Sequence, residues 1–154
     1  MSSPSSAFGP MTDALVALCR RAVEPLNPAR TTGPVTVLDG PAVSYVGTAG
    51  VAVGATREDV TAEWSTQPSD LGGSSRLTLP ISCLAWSGSG STPFAPHRAT
   101  VTGVLDVIEA ELAADRSLGG AVSTAWITGG TWMQEQTGSG ALVTCEFRVT
   151  CLQF

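Results

Sequence analysis

"GSGALVTCEFRVTCLQF", residues 138–154, closes the chain on a strict alternation. An extended backbone throws successive side chains to opposite faces. Ala141, Val143, Cys145, Phe147, Val149 and Cys151 therefore share one side, while Thr144, Glu146, Arg148 and Thr150 share the other. One face is apolar and one is polar, as in a strand whose sheet carries a core on one side. Six residues of extended chain span about 20 Å, whereas a disulfide needs Cα atoms about 4.4 to 6.8 Å apart. Cys145 thus cannot bridge Cys151 within this strand. Both read as core thiols, because a free cysteine packs as a small hydrophobe; pairing across to a neighbouring strand stays open.

Upstream, "STAWITGGTWMQEQ" (123–136) and the turn "TGSG" (137–140) complete a long C-terminal hairpin. In "RLTLPISCLAWSG" (76–88), Leu77, Leu79, Ile81 and Cys83 alternate against Arg76, Thr78, Pro80 and Ser82, which predicts a half-buried strand. Pro80 has no N–H for a ladder, so it calls for an edge strand or a missing neighbour on that side. "HRATVTGVLDVIEAELAADRSLGG" (97–120) carries Val101, Val104, Leu105, Ile108 and Leu112 as one helical stripe, with Gly119 and Gly120 as its stop. A first helix is expected in "MTDALVALCRRAVEPLNP" (11–28), with Leu15, Leu18, Cys19 and Ala22 on one face, Thr12 as N-cap, and Pro25 ending it. Between them, "GPVTVLDGPAVSYVGTAGVAVGATRED" (33–59) offers strands over Val35–Leu38, Ala42–Val46 and Val51–Ala55, read as a meander, with "VTAEWSTQ" (60–67) extended after it.

The order of helix, strands, helix and hairpin predicts an α+β fold: a mixed, mostly antiparallel β-sheet with two main helices packed on one face. Residues 1–11 are expected to form a flexible N-terminal segment, and 12–154 a single domain. At 154 residues the chain can bury roughly two thirds of its unfolded surface, so its core needs no staples. The four cysteines show no C-x-x-C spacing and no histidine at zinc-ligand intervals, which predicts reduced thiols. No apolar run is long enough for a membrane helix, and "MSSPSSAFGP" (1–10) lacks signal-peptide character, so a soluble, unexported chain is expected.

Eight arginines, no lysine and 13 acidic residues give a net charge of −5, the wrong sign for a dedicated nucleic-acid binder. Without lysine the phosphate-loop motif is excluded, so the Gly-Ser runs read as connectors. No D-x-D-x-D-G calcium loop occurs, and the acid clusters read as solvated faces. A hydrolase would need His97, the sole histidine, as base for a serine or cysteine, yet nothing marks a cysteine as activated. A generic ligand-binding module has no positive mark. The tryptophans say more. Trp86 falls on the face opposite the Leu77 and Ile81 stripe, and Trp126 and Trp132 share a face if their strand is unbroken across Gly129 and Gly130. Large rings on a polar face serve as interface anchors, unless a helix covers that face.

Taken in order, the short first helix, "VTVLDGPAVS" with "VGTAGVAVG", Trp64, the "LGG" loop, Arg76 opening "RLTLPISCLAWSG", the long helical segment and the "TCEFRVTCLQF" hairpin resemble a family. It is the tail terminator proteins of long-tailed bacteriophages, especially those of G+C-rich actinobacterial hosts, and the resemblance covers nearly the whole chain. It implies a structural virion protein with neither catalysis nor cofactor. Such a subunit forms a homo-oligomeric ring, commonly a hexamer, at the head-proximal end of the tail. It assembles in the host cytoplasm, stops polymerisation of the major tail tube protein and meets the head–tail connector. Genomic DNA would pass through the lumen without specific binding, and no membrane is involved. A neck or tail-completion adaptor is the alternative in the same setting. Physical reasoning adds candidate interface residues: the Pro68–Ser75 loop with Asp70 and Leu71, Arg57 and Arg76 for intersubunit ion pairs, and Trp64 and Trp86 as anchors.

Overall fold

A computed structural model describes residues 4–40, 48–54, 62–67, 74–87, 93–137 and 140–153. Helix α1 (Pro4–Val23) passes into a 3-10 helix (Glu24–Ala29), so Pro25 ends the α-helix without extending the chain at Glu24. The strands are β1 (Thr36–Asp39), β2 (Ala49–Val53), β3 (Glu63–Gln67), β4 (Ser74–Trp86), β5 (Thr124–Thr137) and β6 (Gly140–Gln153), with helix α2 (Ala95–Ala114) between β4 and β5. They form a six-stranded, mostly antiparallel sheet in the order β1-β2-β4-β6-β5, with β3 paired to β4 beside β2. Helix α1 packs over β1, β2 and β4, and α2 over β4, β5 and β6. The result is the expected α+β fold with its helices on one face.

The core lies between helices and sheet. Leu77, Leu79, Ile81, Cys83 and Ala85 of β4 face inward with Val143, Cys145, Phe147, Val149 and Cys151 of β6, and meet Val101, Val104, Ile108 and Leu112 of α2. From α1 come Met11, Leu15, Leu18, Cys19 and Ala22. Helical and strand periodicities thus converge on one apolar cluster, and the terminal alternation reads as predicted.

Several local expectations change. Thr12 is not an N-cap: the helix begins at Pro4, and the Thr12 hydroxyl donates back to the Phe8 carbonyl at 2.7 Å. Helix α2 ends at Ala114, before the glycines, because the Asp115 carboxylate accepts from the Ser117 hydroxyl and the Gly119 amide, both at 2.7 Å. That turn holds Leu118 and Gly119 at φ of 53° and 69°. Strands β1 and β2 pair in parallel, Thr36 opposite Gly50 through Asp39 opposite Val53, so they are not consecutive arms of a meander. A short β-branched run records burial and carries no sign of strand direction, which explains the difference. The strand expected at Ala42–Val46 lies outside the described residues.

Pro80 sits in a central strand, within the alternative left open for it. On that side of β4, β3 covers residues 74–78 and β2 covers 81–85. The Pro80 carbonyl accepts from the Gly54 amide at 2.8 Å just beyond the β2 ladder. In extended chain a residue's N and C=O point the same way, so its missing N–H falls in the gap between β2 and β3.

Candidate functional site

The titratable groups of the core decide whether a reactive centre is built. Cys19, Cys83, Cys145 and Cys151 are all free and buried. Cys83 stands directly opposite Cys145 on adjacent strands. Burial pushes the Cys19 and Cys151 thiols up to about 12 and raises Cys145. Cys83 is lifted well above its usual range by burial first, then by Cys19 and Cys145 nearby. A nucleophilic cysteine requires the opposite shift. His97 lies in the first turn of α2, and its Nε2 is buried with no hydrogen-bond partner among the described residues. No described serine or cysteine makes the base–nucleophile contact of a hydrolase with that nitrogen. Among the described residues no cluster of three or more His, Cys, Asp or Glu could hold a metal ion.

The surface holds the more distinctive features. Trp64 on β3 is 65% exposed and Trp132 on β5 is 48% exposed. Trp64 lies opposite Leu77, and Trp132 opposite Cys145, so both rings project on the helix side of the sheet, Trp132 from the end strand β5 and Trp64 from β3, which pairs β4 on the opposite flank beside β2. Arg76 is exposed and pairs in register with Ser65, on the other face. Trp86 is half-buried, opposite Leu142 at the far end of β4. The fold therefore sets Trp64 apart from Arg76 and Trp86 by a whole sheet face. Arg57, Asp70 and Leu71 lie outside the described residues.

Trp126 and Trp132 do not share a face. Trp126 is opposite Thr150 and Trp132 opposite Cys145, residues on opposite sides of β6, because a bulge between Ile127 and Gly129 inserts one residue and inverts the alternation. The paired glycines at 129 and 130 were the available signal, since glycine within a strand marks bulges and close backbone approach.

No protein-family model matches this chain, nor does any curated protein. Among solved structures, a chain from the virion of a native gene transfer agent particle superposes with a TM-score of 0.42 and 10% identity, covering 76% of this chain and 78% of that one.

The sheet face away from the helices carries a hydroxyl ladder. Thr150 Oγ1 lies 3.2 Å from Thr78 Oγ1 and 3.0 Å from Thr128 Oγ1, linking β4, β6 and β5. Thr150 is buried although it lies on this nominally polar side. These bonds satisfy hydroxyls that have lost water, so the centre of the face is structural, and the exposed rings stand at the sheet's flanks.

Proposed function

We propose that this chain is a structural virion protein, the tail terminator of a long-tailed phage. In this reading it closes into a ring, of about six copies as the resemblance implies, on the head-proximal end of the tail tube. The ring stops tube growth and joins the tail to the head connector. One observation carries the reading most: two large aromatic rings stand exposed on opposite flanks of one sheet while the thiols lie protonated in the core. A subunit repeated head to tail needs two different patches, one for each neighbour, and tryptophans in desolvated pockets are frequent energetic anchors of interfaces. The sequence resemblance supplies the setting, and the net charge of −5 suits a conduit along which DNA must slide without sticking. Arg57, Arg76 and the loop containing Asp70 and Leu71 are proposed to assist at the joints.

The test is to add purified protein to polymerising tail tube subunits and measure tube length by electron microscopy. A terminator caps the tubes and shortens them. Unchanged tube length, with binding to the head connector instead, would assign the protein to the neck as an adaptor.

A further inference from the structure

We infer that copies of this chain join by β-sheet extension, the β5 edge of one copy pairing with the β3 edge of the next. The inference rests on the ring-forming role proposed above and deepens it by naming the joint.

Among the described residues, strand β5 ends the sheet on its flank, and it runs for 14 residues. Natural proteins blunt such edges with lysine, proline or short length. The sequence TAWITGGTWMQEQT contains neither proline nor a basic residue, and Glu135 is its only ionisable group. On the other flank, β3 has β4 as its only strand neighbour among the described residues, and Glu63, Trp64, Ser65 and Thr66 are all exposed.

Two properties make these edges fit each other. The first is direction: β3 is antiparallel to β4, β4 to β6, and β6 to β5, so β3 and β5 run oppositely within one copy. Copies set side by side in the same orientation therefore present β5 antiparallel to the next β3, with every helix on the same side. The second is facing: Trp64 and Trp132 both project on the helix side, Trp64 level with Ala125 and Trp132 level with Cys83, so a stagger of the copies along the strands by about six residues, roughly 20 Å, brings the two rings together across the joint.

Shared facing also fixes parity. Ser65 lies on the face away from the helices, as do Thr131 and Met133. Directly opposed antiparallel residues have Cα atoms about 4.5 to 5.5 Å apart, within disulfide range. Ser65→Cys is therefore combined with Thr131→Cys or Met133→Cys, the protein is oxidised, and non-reducing gels are run, with Ser65→Cys/Thr102→Cys as a control on the outer surface of α2. A ladder of cross-linked multimers from one of the two β3–β5 double variants, absent in the control, is the expected result, and Trp132→Lys should abolish it and shift the sizing-column peak to monomer. Dimers from Thr131→Cys alone would mean β5 pairs with itself and overturn the joint. So would a lack of cross-linking, whether the protein sizes as an oligomer or as a monomer. The tube-length assay separates the two levels: continued capping without cross-links removes this joint and keeps the proposed function.

Discussion

Trp126 and Trp132, six residues apart on β5, project from opposite faces of the sheet. An unbroken strand would place them together; the extra residue at the bulge moves Trp132 to the helix side, where it stands 48% exposed. The bulge in turn depends on two glycines. Gly129 has a φ of 153°, and a Cβ on Gly130 would lie 2.7 Å from the Glu146 carbonyl oxygen and 3.0 Å from Phe147.

Gly130→Ala should therefore destabilise the protein, since backbone atoms of β6 would have to move. Overpacking of this kind costs about 1 to 3 kcal/mol, readable as a lower midpoint in urea unfolding. A midpoint equal to that of the unsubstituted protein would show that the hairpin is more yielding than its contacts imply.

Thr150→Val keeps the shape of a buried side chain and removes its hydroxyl. The Thr78 and Thr128 hydroxyls each lose a partner. The expected loss is about 1 to 2 kcal/mol, measured by chemical denaturation. A neutral substitution would mean that water replaces both bonds at once.

The core thiols predict an alkaline weakness. Above the ordinary thiol value of 9.0 the unfolded chain releases these protons, whereas folded Cys19 and Cys151 hold theirs up to about 12. The unfolded state then binds fewer protons, so stability falls as pH rises. The contribution is fully present below pH 9.0 and declines between 9.0 and about 12, by about 1.4 kcal/mol per pH unit for each thiol. Equilibrium unfolding across that range, beside a Cys19→Ala/Cys151→Ala variant with a flatter profile, checks it. A thiol reagent at neutral pH should label the native protein only as fast as it unfolds.

Asp115 makes the opposite prediction in acid. Hydrogen bonds from the Ser117 hydroxyl and the Gly119 amide hold its carboxyl below the ordinary 3.8. Its contribution is present above that ordinary value and is lost as pH falls through the lowered one. Asp115→Ala should lower the melting temperature at neutral pH and remove this acid dependence. Asp115→Asn, which keeps one acceptor oxygen, should recover part of the melting temperature. Equal melting of all three proteins at pH 7 would show that the glycines alone shape the turn.

Much of the fold was legible in advance, because burial periodicity is local. Alternation in 141–151 identified the inward side of β6 and both of its thiols, the Leu77 stripe identified that of β4, and the Val101 to Leu112 spacing marked the buried face of α2. Of the two tryptophans offered from the sequence as candidate anchors, Trp64 is 65% exposed and Trp86 half-buried. Trp132 could not be assigned its side, since one inserted residue inverts every position after it.

By itself, then, the sequence determined which side chains turn inward, that the cysteines lie in the core, and that the chain ends in a hairpin. Tertiary structure alone decided that β1 runs parallel to β2, that Pro80 sits where two neighbouring strands leave a gap, that Cys83 faces Cys145, and that Trp64 and Trp132 emerge on one side of the sheet. The physical reason is the same in each case. Side-chain polarity repeats along one strand and can be read there, whereas direction, register and bulges are settled by backbone hydrogen bonds to a different strand, whose groups are chemically identical at every residue except proline.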